Sequence, residues 1–291
     1  MKTFYTEKDI QSLFKEGKSS LSLSSETVLT DLGYEMAQRL GMKIITEDRK
    51  PPSAPERPYI AAIQTPGHND YAGQYPSFNN QAVDVRPELV KINNELYQAD
   101  LITATGGNIS ARVPGTLDQI WITPGSIFKG DLKPEMMVRI DLDGKALDPN
   151  FAYKASSERF VHCEVFRKRP DLNAVIHTHA PLATVLGLAN IPFLPISTDS
   201  AFLGELTRVP FISPGTNDLG KAVAEAMAES FAVIMQNHGL VVGGKNLRQA
   251  ADITLIVEST AKKILTSYMV GKGPLQLPPE AIEEFRKELR I

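Results

Sequence analysis

The stretch Asn173–Gly187, NAVIHTHAPLATVLG, constrains the fold more than any other part of the chain. It opens with an apolar run typical of a buried strand, places His177 and His179 at the strand's end, and then turns helical. Strand side chains alternate between faces, so residues two apart share one. His177 and His179 therefore project together, and two imidazoles at that spacing reach a single ion. The pair by itself fits polar packing at the rim of a core at least as well. The chain has five histidines in all, and the remaining sequence has to choose between these readings.

Composition narrows the classes. A chain of 291 residues, 42% hydrophobic and 22% charged, buries a sizeable core without disulfides or structural metals. The net charge of −3 gives no electrostatic reason to expect a nucleic-acid or membrane partner. A short basic cluster, FRKRP at 166–170, reads as the solvated end of a helix. The single cysteine, Cys163, cannot form an internal disulfide and reads as a buried structural thiol. No apolar run approaches the roughly 18 residues that span a bilayer. The segment MKTFYTEKDI lacks the apolar stretch of a signal peptide, so a cytoplasmic location is expected.

Along the chain the pattern divides in three. Residues 1–46 read as an N-terminal helical extension. TEKDIQSLFKEG carries a Thr cap and a Gly17 stop, and SSETVLTDLGYEMAQRLGMKII carries Ser caps and a strand-like exit at Lys43–Thr46. Residues 47–85, rich in Pro, Gly, Asn and Ser, read as a linker or arm containing the turn histidine His68. Residues 86–291 read as the main domain, in which hairpins and helices alternate. Its elements include an Asp-Gly hairpin in MVRIDLDGKAL, a helix in ASSERFVHCEVFRKRP opening at a Ser cap, and a helix capped by Thr216 or Asn217. Strand–helix–strand crossovers are too few for a parallel sheet. The expected fold is α/β, a three-layer α/β/α arrangement with a central, mainly antiparallel sheet.

Further residues shift the histidine pair towards chemistry. His238, in QNHGL, stands on an Asn-His-Gly turn between apolar strands, where a core role is hard to arrange. Glu158, in SSERF, stands at the start of the helix that precedes the histidine strand, where the helix dipole favours negative charge. Three histidines and an acid form the ligand set of a catalytic zinc site. A divalent ion there acts as a Lewis acid on a carbonyl or enediolate oxygen. Small residues form a second constellation: Gly106, Gly107, Asn108 and Ser110 in TGGNIS, Thr123, Gly125 and Ser126 in ITPGS, and Ser156 and Ser157 in KASSE. Backbone N–H groups in such turns and at helix starts make anion sites, and here they fit a phosphate or carboxylate anchor.

From about Glu88 to Met269 the chain resembles the class II aldolase/adducin family, typified by fuculose-phosphate aldolase. The resemblance rests on the ordered series GGNISAR, ITPGSIFKGDLKPEMMVRIDLDG, SSERFVHCEVFRKRPDLNAVIHTHAPLATVLG, PGTNDLG and NHGLVVGG with AADITLIVESTAKKI. It implies zinc ligands at His177, His179 and His238, one ion per subunit, or another divalent ion in its place. It implies an acid/base role for Glu158, which also ligates the metal in the resting site. Asn108, Ser156 and Ser157 match residues that hold a substrate phosphate. The family's Thr-Pro-Ser-Gly is here Thr-Pro-Gly-Ser, at Thr123–Ser126, which moves a hydroxyl by one position.

The resemblance implies a zinc-dependent lyase of the aldolase type. It would cleave a C–C bond of a hydroxylated carbonyl substrate, sugar-phosphate-like, through a metal-stabilised enediolate. Glu158 would shuttle the proton at carbon, with Tyr268 and Asp199 as candidates for the second proton donor. A homotetramer with interfacial active sites is implied as well. Two alternatives stand beside this reading. One is a decarboxylase or epimerase of the same family, although the epimerases place Asp where this chain has Glu158. The other is a non-catalytic, adducin-like scaffold, which the intact set of three histidines and Glu158 opposes.

Overall fold

The computed structural model describes residues 3–24, 27–46, 84–148 and 152–288. They belong to two compact units, one within Met1–Gln64 and one within Thr65–Ile291. Most of the expected Pro/Gly-rich arm, His68 included, lies outside the described residues.

The first unit comprises β1 (Thr3–Tyr5), α1 (Glu7–Lys15), β2 (Ser20–Leu23), β3 (Thr27–Leu29), α2 (Asp31–Arg39) and β4 (Lys43–Thr46). Both expected helices are present, and four short strands accompany them in two parallel pairs, β1 with β3 and β2 with β4. Thr6 stands at the N-cap of α1 as read, its backbone N–H and hydroxyl both donating to Asp9 Oδ2 at 2.7 Å, and Gly17 follows the helix end at φ +83°. The second helix starts later than its serines imply. Thr27, Val28 and Leu29, two of them β-branched, enter a strand, and Thr30 caps the helix by accepting from the Gly33 N–H. Ile10, Leu21, Met36, Ala37 and Met42 form this unit's buried core.

The second unit runs α3 (Arg86–Gln98), β5 (Asn108–Arg112), β6 (Gln119–Ile122), β7 (Val138–Asp141), α4 (Arg159–Lys168), β8 (Ala174–Thr178) and α5 (Pro181–Leu188). It continues with β9 (Thr207–Val209), α6 (Asn217–Ala226), β10 (Ala232–Met235), β11 (Gly239–Gly244), α7 (Leu247–Met269) and α8 (Pro279–Glu288). Its seven strands form one sheet in the order β7-β6-β5-β8-β11-β10-β9. Every neighbouring pair is antiparallel except β9 and β10. The expected three-layer arrangement with a mainly antiparallel sheet is what the chain adopts.

Residue parity sorts the two faces. Ala174 and Ile176 of β8, Ile234 of β10 and Leu240 and Val242 of β11 pack in one layer with α3, α5 and α7. Val175, Val233 and Val241 pack in the opposite layer with α4 and α6. β8 is the middle strand, fully buried along its length, which is why its sequence is apolar without alternation. Each buried Val, Leu or Ile stabilises the fold by about 1.5–3 kcal/mol, so this strand is anchored on both faces. Its end is a rigid place to hang a functional side chain.

Caps set the helix boundaries. Thr216, one of the two expected candidates, accepts from Leu219 N–H at the start of α6, and Asn246 does the same for Gln249 at α7. No serine caps α4 directly. Glu158 holds its N-cap position without a side-chain capping bond, and Ser156 accepts from the Glu158 N–H instead. The carboxylate is thereby free to turn elsewhere.

Cys163 is fully buried on α4, and burial pushes its thiol up to about 12. The thiolate needed for alkylation is therefore scarce at mildly alkaline pH. Iodoacetamide is expected to leave Cys163 unmodified in the native chain and to alkylate it after denaturation, as read by intact mass. Rapid alkylation of the native chain would contradict this burial.

Candidate metal and catalytic centre

His177 is held on both sides: Asn108 on β5 and Val241 on β11 are its register partners. Parity turns it to the α4 side of the sheet, and His179 emerges just beyond the strand end. Two glycines leave room for these rings. A Cβ on Gly106 would lie 2.6 Å from His179 Nδ1, and one on Gly239 would overlap the Thr178 carbonyl and come within 3.2 Å of His177 Cε1. His238 arrives from the turn between β10 and β11, where Asn237 takes the left-handed conformation at φ 60°. The three rings gather edge to face, with centroids 5.0, 4.8 and 5.5 Å apart.

Glu158 closes the group from the start of α4. Its Oε2 lies 3.0 Å from His177 Nε2 and its Oε1 lies 2.9 Å from His238 Nε2. One potential ligand atom from each of Glu158, His177, His179 and His238 falls within 4.8 Å of the others, and among the described residues this is the group able to hold a metal ion. Glu158 Oε1, His177 Nε2 and His179 Nε2 are buried without a hydrogen-bond partner. His177 Nδ1 donates to the Leu240 carbonyl at 3.0 Å, which in the neutral ring leaves the lone pair on Nε2 facing the carboxylate. Two lone-pair atoms set this close repel unless a cation joins them. The donor set fits a divalent metal. Imidazole and carboxylate together suit several such ions, so the donor set singles out no one element.

Taken by themselves, the carboxylate and the rings shift one another strongly. Burial alone would raise the Glu158 carboxyl, yet the facing His177 and His238 hold it well below the usual carboxylate range. Burial would lower His177, but the Glu158 carboxylate raises it. Burial lowers His179 to about 4, with the charge of His177 adding to the effect, so this ring is neutral and ready to ligate.

The expected anion loops come together by a different set of bonds. Pro124 bridges to Ala155, Gly125 N–H donates to the Lys154 carbonyl at 3.0 Å, and a Cβ on Gly125 would lie 3.2 Å from Ser156 Cα. Ser126, at φ 54°, and Ser157 are exposed, whereas Gly107, Asn108 and Ser156 are buried. Asn108 donates from Nδ2 to Glu158 Oε2 at 3.2 Å and meets His162 Nε2 through Oδ1. Asp199 is ion-paired with Lys263 at 3.0 Å, and Tyr268 stands 45% exposed near the end of α7. Neither is among the residues gathered at the cluster.

Two residues escaped the sequence reading. His162 is fully buried beneath Asn108, and its one signal was its place four residues after Glu158, one turn along the same helix. Lys129 is 1% exposed, donates from Nζ to the Pro124 carbonyl, and its backbone N–H donates to Ala104. Burial lowers its ammonium to about 8 while the charge of Glu158 opposes that shift. A lysine in IFKGDLK carries no pattern that marks it as buried.

Comparison with known proteins follows this geometry. Residues 87–265 match the family described as Class II Aldolase and Adducin N-terminal domain. A 5-deoxy-D-ribulose 1-phosphate aldolase from Bacillus thuringiensis serovar kurstaki is 32% identical over 70% of this chain and 94% of its own. A 3-oxo-tetronate 4-phosphate decarboxylase from Escherichia coli K12 is 30% identical over 66% of this chain and 90% of its own. A solved L-fuculose 1-phosphate aldolase superposes with a TM-score of 0.67 at 29% identity, covering 74% of this chain and all of that one. With relatives that are named enzymes and an unbroken His/Glu group, this chain is an enzyme and belongs to the class II aldolase/adducin family.

Proposed function

We propose that this chain is a metal-dependent lyase of the aldolase type, acting on a small phosphorylated hydroxy-carbonyl compound. The observation that carries the reading is the Glu158 carboxylate set 3.0 and 2.9 Å from His177 and His238, beside the unpartnered Nε2 of His179. His177, His179 and His238 would hold the ion, with Glu158 at its edge, and zinc fits that set. When bound, such an ion supplies a Lewis acid that offsets negative charge developing on a substrate oxygen.

The chain's own residues supply the rest. C–C cleavage of this kind takes one proton from a hydroxyl oxygen and delivers one to the carbon left electron-rich. Glu158, at the start of α4 and hydrogen-bonded by Asn108, would carry the proton at carbon. The proton at oxygen falls to a second group, for which Tyr268 and Asp199 stand as the proposed candidates. The loops bearing Gly107, Asn108, Gly125, Ser126, Ser156 and Ser157 would anchor the substrate's anionic group. Asn108 gives one Nδ2 hydrogen to Glu158 and retains another, Ser126 and Ser157 are exposed residues, and the buried Lys129 ammonium bonded to the Pro124 carbonyl adds positive charge. The rest of this reading is a cytoplasmic homotetramer with sites at subunit interfaces. Exposed apolar residues at the end of α7, Met269 and Val270 among them, are surface that an oligomer would cover. Among the described residues no helix is long and apolar enough to cross a membrane. Decarboxylation is the second reading, favoured by the decarboxylase relative at 30% identity.

Three outcomes test the proposal. His177→Ala and His238→Ala are each expected to lose bound metal, from about one ion per chain to a small fraction, by elemental analysis of the purified protein. Glu158→Gln is expected to retain metal at saturating concentration, bound more weakly, while turnover falls by roughly 10²–10⁴-fold, so near-full turnover would remove the acid/base role. Incubation with ketose 1-phosphates is expected to release a ketone and an aldehyde without CO2. Release of CO2 from a phosphorylated keto acid, with no ketose cleaved, would give the decarboxylase reading its place.

A further inference from the structure

β5 and α4 meet along one buried polar seam. On β5, Ile109 and Ala111 pack into the layer of α3, α5 and α7, so Asn108 and Ser110 share the face turned to α4. On α4's side, Glu158 and His162 lie one helical turn apart. His162 stands between the two elements. Its Nδ1 is 2.6 Å from Ser110 Oγ, and its Nε2 is hydrogen-bonded to Asn108 Oδ1. Asn108 in turn donates from Nδ2 to Glu158 Oε2 at 3.2 Å. Asn108, Ser110 and His162 are 3%, 0% and 0% exposed, so no solvent competes for these bonds.

The donors and acceptors admit a single assignment. An ionised carboxylate only accepts, so Asn108 must present its NH2 to Glu158 and its oxygen to His162. That oxygen only accepts, so His162 Nε2 must carry a hydrogen. The neutral ring then has its lone pair on Nδ1, which accepts from the Ser110 hydroxyl. Burial lowers His162 to about 3, with the charge of His177 adding, so the ring stays neutral. Were the Asn108 amide reversed, its oxygen would face the carboxylate and two NH2 hydrogens would face the Nε2–H.

We propose that Ser110, His162 and Asn108 form a positioning relay that fixes the Asn108 amide and, through it, aims the Glu158 carboxylate at His177 and His238. The relay rests on the reading of Glu158 as the working carboxylate, and its two tests separate the failure of one from the failure of the other.

The first needs neither metal nor substrate. Nitrogen NMR of the metal-free, histidine-labelled chain, with His162 assigned by its absence in His162→Gln, is expected to show the Nε2–H tautomer. An Nδ1–H or doubly protonated ring would overturn the relay. The second uses Co2+ alone, with affinity read by chelator competition. His162→Leu is expected to weaken Co2+ binding by roughly 10–100-fold. His162→Gln, whose amide N–H can reach Asn108, is expected to recover most of that loss. The double variant with Asn108→Ala should bind no more weakly than the weaker single variant. A purely structural role would lower thermal stability with Co2+ affinity unchanged in folded His162→Leu, and that result would sink the relay. If His162→Leu does not fold, Ser110→Ala decides: several-fold weaker binding supports the relay and unchanged binding overturns it. If the unaltered chain binds no Co2+, the metal-lyase reading falls, and the tautomer alone decides the relay.

Discussion

The structure turns on one buried carboxylate facing three imidazoles. Taking a charge such as that of Glu158 out of water costs several kcal/mol unless it is paired and hydrogen-bonded. Here the compensation comes from three separate elements: the end of β8, the turn before β11, and the amide of Asn108 on β5. None of them can move far without removing one of the carboxylate's partners. The site is thus a constraint on the fold as much as a product of it.

The two faces of the sheet divide the labour. The face towards α3, α5 and α7 is an apolar layer built from Leu, Ile, Ala and Phe side chains. The face towards α4 is apolar through Val175, Val233 and Val241 and then, near the end of β8, becomes polar through Asn108, Ser110 and His177. Arg112 continues the polar row on β5. Its guanidinium is buried against the carbonyls of Leu172 and Phe166, at 2.8 Å each, so it ties strand to helix from the opposite end of the seam. Polar groups on this side are therefore sequestered in bonds to one another, which keeps the layer packed while preserving a reactive edge.

Much of this was legible in the sequence. The H-x-H spacing placed two rings on one face because strand side chains alternate with period two, and that rule needs no tertiary knowledge. The Asn-His-Gly turn marked His238, and Glu158 stood out at the start of a helix. What was not legible follows from distance along the chain. Asn108 meets Glu158 across 50 residues and His162 across 54. Ser110, Asn108 and His162 each carried a local spacing of two or four, but no local rule says that this strand lies against that helix. Lys129 was missed for a related reason: a lysine between a phenylalanine and a glycine reads as surface until Ala104, Pro124 and Asn93 are folded around it. The Ser cap expected at α4 failed because the serine bonds one position before the helix begins, leaving Glu158 at the cap.

Sequence alone determined which residue types were available and which faces they would share: a fully apolar central strand, two histidines in phase at its end, and glycines where rings had to pass. Periodicity fixes those relations within a single element. Only the tertiary structure decided which elements face one another, because register and layer order are set by the summed burial of both sheet faces. That packing made Asn108, read from sequence as an anion ligand, a bridge to Glu158 as well, and it turned His162 from a helix residue into the support beneath that bridge.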